Sequence, residues 1–365
     1  MSTNKPKKRV IVGMSAGVDS SVAAALLKEQ GYDVVGVFLH FWKEPGQSSL
    51  IENKCCSIES QQDARKIAQI LDIPLYTVNA AKEFKKEIVD YFLEEIKAGR
   101  TPNPCVVCNE KIKFNFLFKK MLEMDADFVA TGHYAKLQKV GDKFHLYIPT
   151  DKEKDQTYFL HTLGEKQLAR ILFPLGELKK PDVRRMAEKL KLPVFDKEDS
   201  QGLCFTSEKT PNEFLKRNLK LSAGDIVTTE GKKIGTHSGL ELYTIGQRKG
   251  VNIGGDGPYF VVQRDFGNNV LVVTNDTVNE KIFKKNMSVQ IKNWLGAEIV
   301  TPLELNIKIR YRHQAVRGII KSSKKNNEGL LIEVDFIEAQ KAVTPGQSAV
   351  FYSDSEELLG GGVII

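Results

Sequence analysis

Near the start of the chain a β-branched run, Val10-Ile11-Val12, stops at Gly13-Met14-Ser15-Ala16-Gly17-Val18-Asp19-Ser20-Ser21 and re-emerges as an alanine- and leucine-rich helix predicted over 22–28. A strand that breaks into a Gly, Ser and Asp loop and then opens a helix is built to cradle phosphate. Gly13 and Gly17 remove side chains where the backbone must turn and approach a ligand, while Ser15, Ser20 and Ser21 set hydroxyls beside the free N–H groups of a helix start. The bland alternative is an ordinary strand-to-helix turn rich in small residues. No Walker lysine follows the glycines, which argues against a Ras-like or kinase-like γ-phosphate machine.

The flanking pattern supports an α/β class. Apolar strands are expected at 34–41, 75–78 and 127–134, and helices at 58–71 and 81–97, an alternation that marks a parallel sheet with ligands at the carboxyl ends of its strands. The loop after Val12, the strand end at Leu39 and the Gly132-His133 turn are therefore expected to converge. After about residue 208 the texture changes to short β-rich pieces, among them 242–245, 259–262 and 270–274, separated by many glycines. From Ser288 onward, segments at 289–294, 303–311, 318–321, 329–336 and 348–352 alternate like the strands of a small antiparallel barrel. The expected organisation is a catalytic α/β domain over 1–208, a small glycine-rich central domain over 209–283 and a β-barrel over 284–365. The formal charge of +7 over 365 residues suits a polyanionic partner without identifying one. The basic start has no apolar stretch and no run reaches transmembrane length, so neither an export signal nor membrane attachment is expected. Five cysteines in such a chain point to reduced thiols in the cytoplasm.

Three of those cysteines carry the second signal. Cys105 and Cys108 follow Thr101-Pro102-Asn103-Pro104 and precede a basic, aromatic helix, while Cys204 lies in Asp199-Ser200-Gln201-Gly202-Leu203-Cys204-Phe205. Three readings stand side by side. The thiols are buried and structural; or they bind zinc or an iron–sulfur cluster, completed by Cys204 or by Cys55-Cys56; or a reactive thiol near the helix start works with Cys204.

The phosphate loop resembles the Ser-Gly-Gly-x-Asp-Ser PP-loop of ATP pyrophosphatases, with Ala16 where the second glycine usually stands. Six strings in order, from the loop through Gly99 to Asn109, Ala130-Thr131-Gly132-His133-Tyr134, Lys154-Asp155-Gln156-Thr157-Tyr158, Gln201 to Phe205 and Thr344-Pro345-Gly346-Gln347, are similar to the bacterial tRNA-specific 2-thiouridylases. The resemblance implies that ATP, with Mg²⁺ near Asp19, adenylates the C2 oxygen of wobble uridine 34 in the tRNAs for lysine, glutamate and glutamine. The nucleotide site it implies comprises Gly13 to Ser21, Leu39 and Gly132. Sulfur is expected as a persulfide on Cys204, relayed by carrier proteins from a cysteine desulfurase, with Cys108 as its thiol partner; a thiolate role predicts that both are partly exposed. By the same resemblance, Asn103, Pro104 and Cys105 meet the target base, and His133, Lys154, Asp155, Gln156, Arg310, Tyr311 and Gln347 contact tRNA. Taken alone, His133 reads as a satisfied turn histidine, and Arg310 and Tyr311 as a solvated strand edge. Many relatives carry an aspartate where this chain has Cys105. A thiol cannot replace a carboxylate at neutral pH, which keeps a cluster on Cys105, Cys108 and Cys204 as the alternative route to the same product. Rival functions are a PP-loop amidotransferase or argininosuccinate-type ligase, which needs no paired thiols, and a noncatalytic RNA-binding module, which needs no PP-loop serines.

Overall fold

A computed structural model describes residues 7–44, 57–199, 202–206, 210–248, 250–251, 258–277, 279 and 281–365. Cys55 and Cys56 lie outside them. Two compact units emerge: residues 1–89, 104–209 and 355–359 form the first, and 90–103, 210–354 and 360–365 the second.

In the first unit, β1 (Arg9–Gly13), β2 (Asp33–His40), β3 (Leu75–Asn79) and β4 (Phe128–Ala130) are followed by the hairpin β5 (Lys136–Val140) and β6 (Lys143–Tyr147) and by β7 (Ile171–Leu172). Five of these form a sheet in the order β3-β2-β1-β4-β7, every pair parallel. Val10, Ile11 and Val12 are fully buried because helices cover both faces, which is why β1 reads as an unbroken apolar run. The chain proceeds from β1 toward β3 on one side and returns to β4 on the other. That reversal opens a crevice at the carboxyl ends of β1 and β4, where ligands of such sheets bind.

Helix α1 (Val18–Glu29) begins four residues earlier than the sequence suggested, directly after Gly17. Its small residues, Ala23 and Ala24, are fully buried and let it lie close to the sheet and to the helix Lys180–Lys189, whose Val183 and Ala187 complete the core. Helix α2 (Ile58–Ile70) is capped by Ser57, whose Oγ accepts the Ser60 N–H at 3.0 Å. Strand β4 is three residues long, so Thr131 to Tyr134 leave the sheet as a loop.

The second unit holds a four-stranded sheet in the order β10-β11-β8-β9, built from β8 (Gly224–Thr228), β9 (Lys233–His237), β10 (Phe260–Asp265) and β11 (Val270–Thr274). Residues 242–245 are not a strand. Leu242 ends the short 3-10 turn Leu240–Leu242, and Tyr243, Thr244 and Ile245 after it are all half-buried instead of alternating. Beyond it, β12 (Phe283–Trp294), β13 (Leu303–Lys308), β14 (Val316–Asn326), β15 (Gly329–Lys341), β16 (Ser348–Tyr352) and β17 (Glu357–Ile364, of which 360–364 belong to this unit) run in the order β12-β15-β14-β13-β16-β17, and residues 360–364 of β17 pair back onto β12. This is a closed six-stranded barrel. Ile332, Val334 and Phe336 point inward while Glu333 and Asp335 face out, the period of two expected for a strand with one buried face.

The closing seam is tight at Gly362, where a Cβ would sit 2.2 Å from the Gln290 carbonyl oxygen. Gly362→Ala is expected to lower the stability of the second unit by about 2 kcal/mol or more, because the obstructing atom is backbone and the seam must part. Urea unfolding followed by Trp294 fluorescence measures it; an unchanged midpoint would show that the seam yields freely.

Candidate active site

The PP-loop fills the crevice predicted by the strand order. Met14 N–H donates to the Val37 carbonyl at 2.8 Å, tying the loop's first turn to β2, and the Met14 side chain is buried in the core. Ser20 Oγ accepts the Ser15 N–H at 3.2 Å and reaches the Gly17 carbonyl at 3.2 Å; Ser21 Oγ donates to the same carbonyl at 2.8 Å. Ser20 and Ser21 thus hold the loop's shape, and Ser15 is its exposed hydroxyl. Helix geometry leaves the N–H groups of the first turn, at Val18, Asp19 and Ser20, with no intrahelical acceptor, which is the arrangement that receives an anion. Gly132 closes the opposite side. A Cβ there would lie 2.6 Å from Ser20 N and 2.7 Å from the Asp19 carbonyl carbon, so any side chain would push the helix start away.

Ala16 sits at φ 54°, in the left-handed region, not in the modest conformation a methyl group would prefer. This is the physical reason a glycine is common there. Ala16 is fully buried against Phe38 and Ala64, and its carbonyl accepts Lys197 Nζ at 3.2 Å while Lys197 also reaches Asp63 Oδ2 at 3.2 Å. Packing and a cation together hold the strained residue.

An ion network unmarked in the sequence surrounds Asp19. Lys180 Nζ donates to Asp19 Oδ1 and Oδ2 at 2.7 and 2.8 Å and pairs with Asp199 Oδ1 at 2.7 Å, with only 8% of its side chain exposed. Tyr134 OH donates to Asp19 Oδ1 at 2.9 Å, and burial and the neighbouring Asp19 carboxylate push the phenol's pKa upward. Asp199 also receives Lys154 at 2.7 Å and Arg184 at 3.1 Å. Burial alone would raise the Asp199 pKa, but its hydrogen bonds from Lys154 and Lys180 hold it below the ordinary carboxylate range. Asp19, which the resemblance places near magnesium, is engaged by Lys180 and Tyr134 in this arrangement.

Several residues expected at RNA have partners inside the first unit. Asp155 is buried, accepting the Thr157 N–H and hydroxyl at 3.0 and 2.6 Å, and Gln156 Oε1 accepts the Tyr134 N–H at 2.9 Å. His133 shares a 2.8 Å hydrogen bond with Thr131 and stacks on Phe114. Burial, reinforced by Lys113, lowers the His133 pKa to about 3, so its ring is neutral. Arg310 and Tyr311 are not on a strand: β13 ends at Lys308, and the two occupy the following turn, which His313 closes by donating to the Arg310 carbonyl at 3.1 Å. Gln347 is half-buried in the second unit, its carbonyl accepting the Ile364 N–H at 2.8 Å. Asn103 belongs to the second unit, Pro104 and Cys105 to the first.

Pro104–Val107 starts a helix that passes through a π-helical segment, Cys108–Phe114, into Asn115–Glu123, so Cys105 and Cys108 lie one turn apart. Insertions of this kind recur at functional sites. Cys105 is part-buried, and burial raises its pKa against a smaller lowering by Lys113. Cys108 is 4% exposed, not the partly open thiol expected, whereas Cys204 is half-buried. The turn Ala81–Phe84 packs on the Cys108 segment, and Phe84 also meets Phe205, next to Cys204, at 6.2 Å and stacks on Phe41 just past β2. Both thiol segments therefore share the flank at the carboxyl end of β2. Among the described residues no three His, Cys, Asp or Glu side chains are grouped to hold a metal ion, so Cys105, Cys108 and Cys204 do not form a cluster ligand set in this arrangement.

A parallel sheet with this loop at its switch point defines the class: a PP-loop nucleotide-binding domain carrying a second, β-barrel-containing unit. Family models agree along the chain, matching a tRNA methyl transferase HUP domain over 8–208, a tRNA methyl transferase PRC-barrel domain over 212–275 and an aminomethyltransferase β-barrel domain over 284–364. A tRNA-specific 2-thiouridylase of Pediococcus pentosaceus is 44% identical over 99% of this chain and 96% of its own length. One from Serratia proteamaculans is 45% identical over 100% of this chain and 98% of its own. The chain belongs to the tRNA-specific 2-thiouridylase family.

Two measurements check the site. Ala16→Gly removes a left-handed strain of roughly 1–2 kcal/mol and also a buried methyl worth about 0.8 kcal/mol, while loosening the unfolded chain, so stability is expected to stay within about 1 kcal/mol of the parent. A loss well beyond that in urea titrations would mean the methyl is essential to the cradle. For His133, the folded pKa lies below the unfolded one, so its contribution is complete above pH 6.5 and is lost as pH falls toward 3. Stability measured between about pH 7 and pH 5 should decline, and His133→Phe should make that decline shallower.

Proposed function

We propose that the first unit activates a tRNA carbonyl with ATP and then replaces its oxygen by sulfur. The chain is a PP-loop sulfurtransferase that thiolates tRNA uridine, and the finer reading is 2-thiolation of wobble uridine 34 in the tRNAs for lysine, glutamate and glutamine. What carries it is the convergence of a helix-start anion cradle with two thiol segments on one flank of the same sheet.

A uracil carbonyl oxygen is a poor leaving group. In the proposed sequence the C2 oxygen attacks the α-phosphorus of ATP, the bond to the β-phosphate breaks, and pyrophosphate leaves. The N–H groups of Val18, Asp19 and Ser20 and the Ser15 hydroxyl hold the phosphates. Leu39 and Gly132 bound the adenosine side. Magnesium bound with the nucleotide would offset the charge that develops on the leaving pyrophosphate. The outer sulfur of a Cys204 persulfide then attacks C2, and AMP departs with the former O2. Cys108, as thiolate, attacks the Cys204 sulfur; the S–S bond breaks toward the new C2 sulfur, giving 2-thiouridine and a Cys108–Cys204 disulfide that a thiol reductant returns to two thiols. The buried Cys108 must become accessible for that last step. The persulfide is supplied by sulfur carriers fed by a cysteine desulfurase.

Asn103, Pro104 and Cys105 are assigned to the target base, and Arg310, Tyr311 and Gln347 to the anticodon arm. Cys105, with its pKa raised, serves as a weak thiol donor and not as a base. The cluster alternative finds no grouped ligands among the described residues.

Cys204→Ser is expected to abolish 2-thiouridine formation from a desulfurase donor, read by mass spectrometry of digested tRNA, while AMP formation from ATP and tRNA persists. Thiolation that survives the substitution would sink the persulfide relay.

A further inference from the structure

The segment assigned to the target base is the far end of a strap that is tied down before it arrives. The helix Tyr91–Lys97 gives way at Gly99, whose φ of 72° turns the chain out of the helix. On β10, half-buried Arg264 donates from Nη2 to the Gly99 carbonyl at 2.6 Å and from Nη1 to the Tyr243 carbonyl at 3.0 Å, and its guanidinium lies over the Phe266 ring. Burial lowers the Arg264 pKa and Glu241 offsets this in part; the group stays charged. Two positions beyond Gly99, the Thr101 N–H donates to the Pro345 carbonyl at 2.9 Å. Gly346 admits that approach, since a Cβ there would lie 2.9 Å from Thr101 N. We propose that Arg264 is a positioning residue for tRNA thiolation: by holding the Gly99 carbonyl it fixes the strap that presents Asn103, Pro104 and Cys105 to the base. This rests on the reading that those three residues meet the base.

The sequence of the strap makes a remote tie effective. Pro102 and Pro104 lock their own φ angles, and Thr101 and Asn103, each before a proline, are held to extended backbone. Few soft torsions remain between Gly99 and Cys105, so a shift at the Gly99 carbonyl is carried along the strap instead of being absorbed. A guanidinium directed at two backbone carbonyls supplies charge-assisted bonds without competing for a phosphate or a carboxylate, which suits a clasp and not a ligand. Arg264, Gly99, Thr101 and Asn103 all belong to the second unit, and Pro104 is the first residue of the other. The residues that hold the strap are thus remote in sequence from the thiols it leads to.

The test uses the full chain with ATP, Mg²⁺, unmodified glutamate tRNA and a desulfurase persulfide donor. Arg264→Met removes both donors and keeps the apolar stem. Its kcat for thiolation should fall about tenfold or more, while KM for tRNA stays within about threefold, because a misplaced segment costs orientation more than binding. Calorimetry with α,β-methylene ATP should still give parent affinity and stoichiometry. Iodoacetamide should alkylate Cys105 several-fold faster, read by peptide mass spectrometry. Arg264→Lys keeps the charge and one donor and should fall between the two. Gly99→Ala leaves Arg264 intact but sets a methyl 2.8 Å from the Phe266 ring; it should give the same split, and it is the safeguard should Arg264→Met fail to fold. Parent-like kcat or parent-like Cys105 alkylation in a folded Arg264→Met overturns the proposal, as does a fall in kcat matched by an equal fall in nucleotide stoichiometry, the mark of a merely structural role. A parent chain that does not thiolate the tRNA, or an Asn103→Ala chain with unchanged kcat, instead overturns the reading beneath it.

Discussion

The site depends on how closely the first turn of α1 approaches the end of β4. Gly132 leaves room for no atom beyond hydrogen between itself and the Asp19–Ser20 peptide. Given that contact, the loop from Gly13 to Gly17 has a fixed span to cross. It does so by placing Ala16 in the left-handed region, held by the Phe38–Ala64 contact and by Lys197. The cradle is stiff before any phosphate arrives, so little ordering entropy is spent on binding.

Ion pairs set the chemistry around this cradle more than they stabilise it. An isolated buried pair contributes little net stability, but losing one partner costs about 3–5 kcal/mol because the other charge is stranded. Lys180, Asp19, Asp199, Lys154 and Arg184 avoid that penalty by sharing, each carboxylate having more than one donor. Shared charges permit exchange of partners where a single pair would lock.

What the sequence revealed follows from distance along the chain. The PP-loop was legible because strand, loop and helix are contiguous, and β1 because its burial on both faces leaves an unbroken apolar run. The Lys180 network was illegible: its carboxylates lie 161 and 19 positions away, and no spacing rule links them. The β5–β6 hairpin escaped because its strands are rich in lysine and Leu146 is their one buried residue. β17 escaped because Gly360-Gly361-Gly362 reads as loop composition, though Gly362 is where the backbone of β12 must come close. Arg310 and Tyr311 were placed one element too early because Ile309 extends the apolar alternation of β13 past its last pairing. The exposure of Cys108 was misjudged because it was inferred from the thiolate role that the resemblance implies, and a role says nothing of how the thiol is packed in the resting chain.

Closure of the barrel also has a kinetic side. Val289 of β12 pairs with Ile364 of β17, about 75 positions apart, while β14 and β15 meet through a turn of a few residues. Local hairpins form quickly, and the seam requires a long loop to close, so it is expected to form after them. Until it forms, β12 and β17 present open edges, and the barrel is most vulnerable to pairing with another chain in that interval.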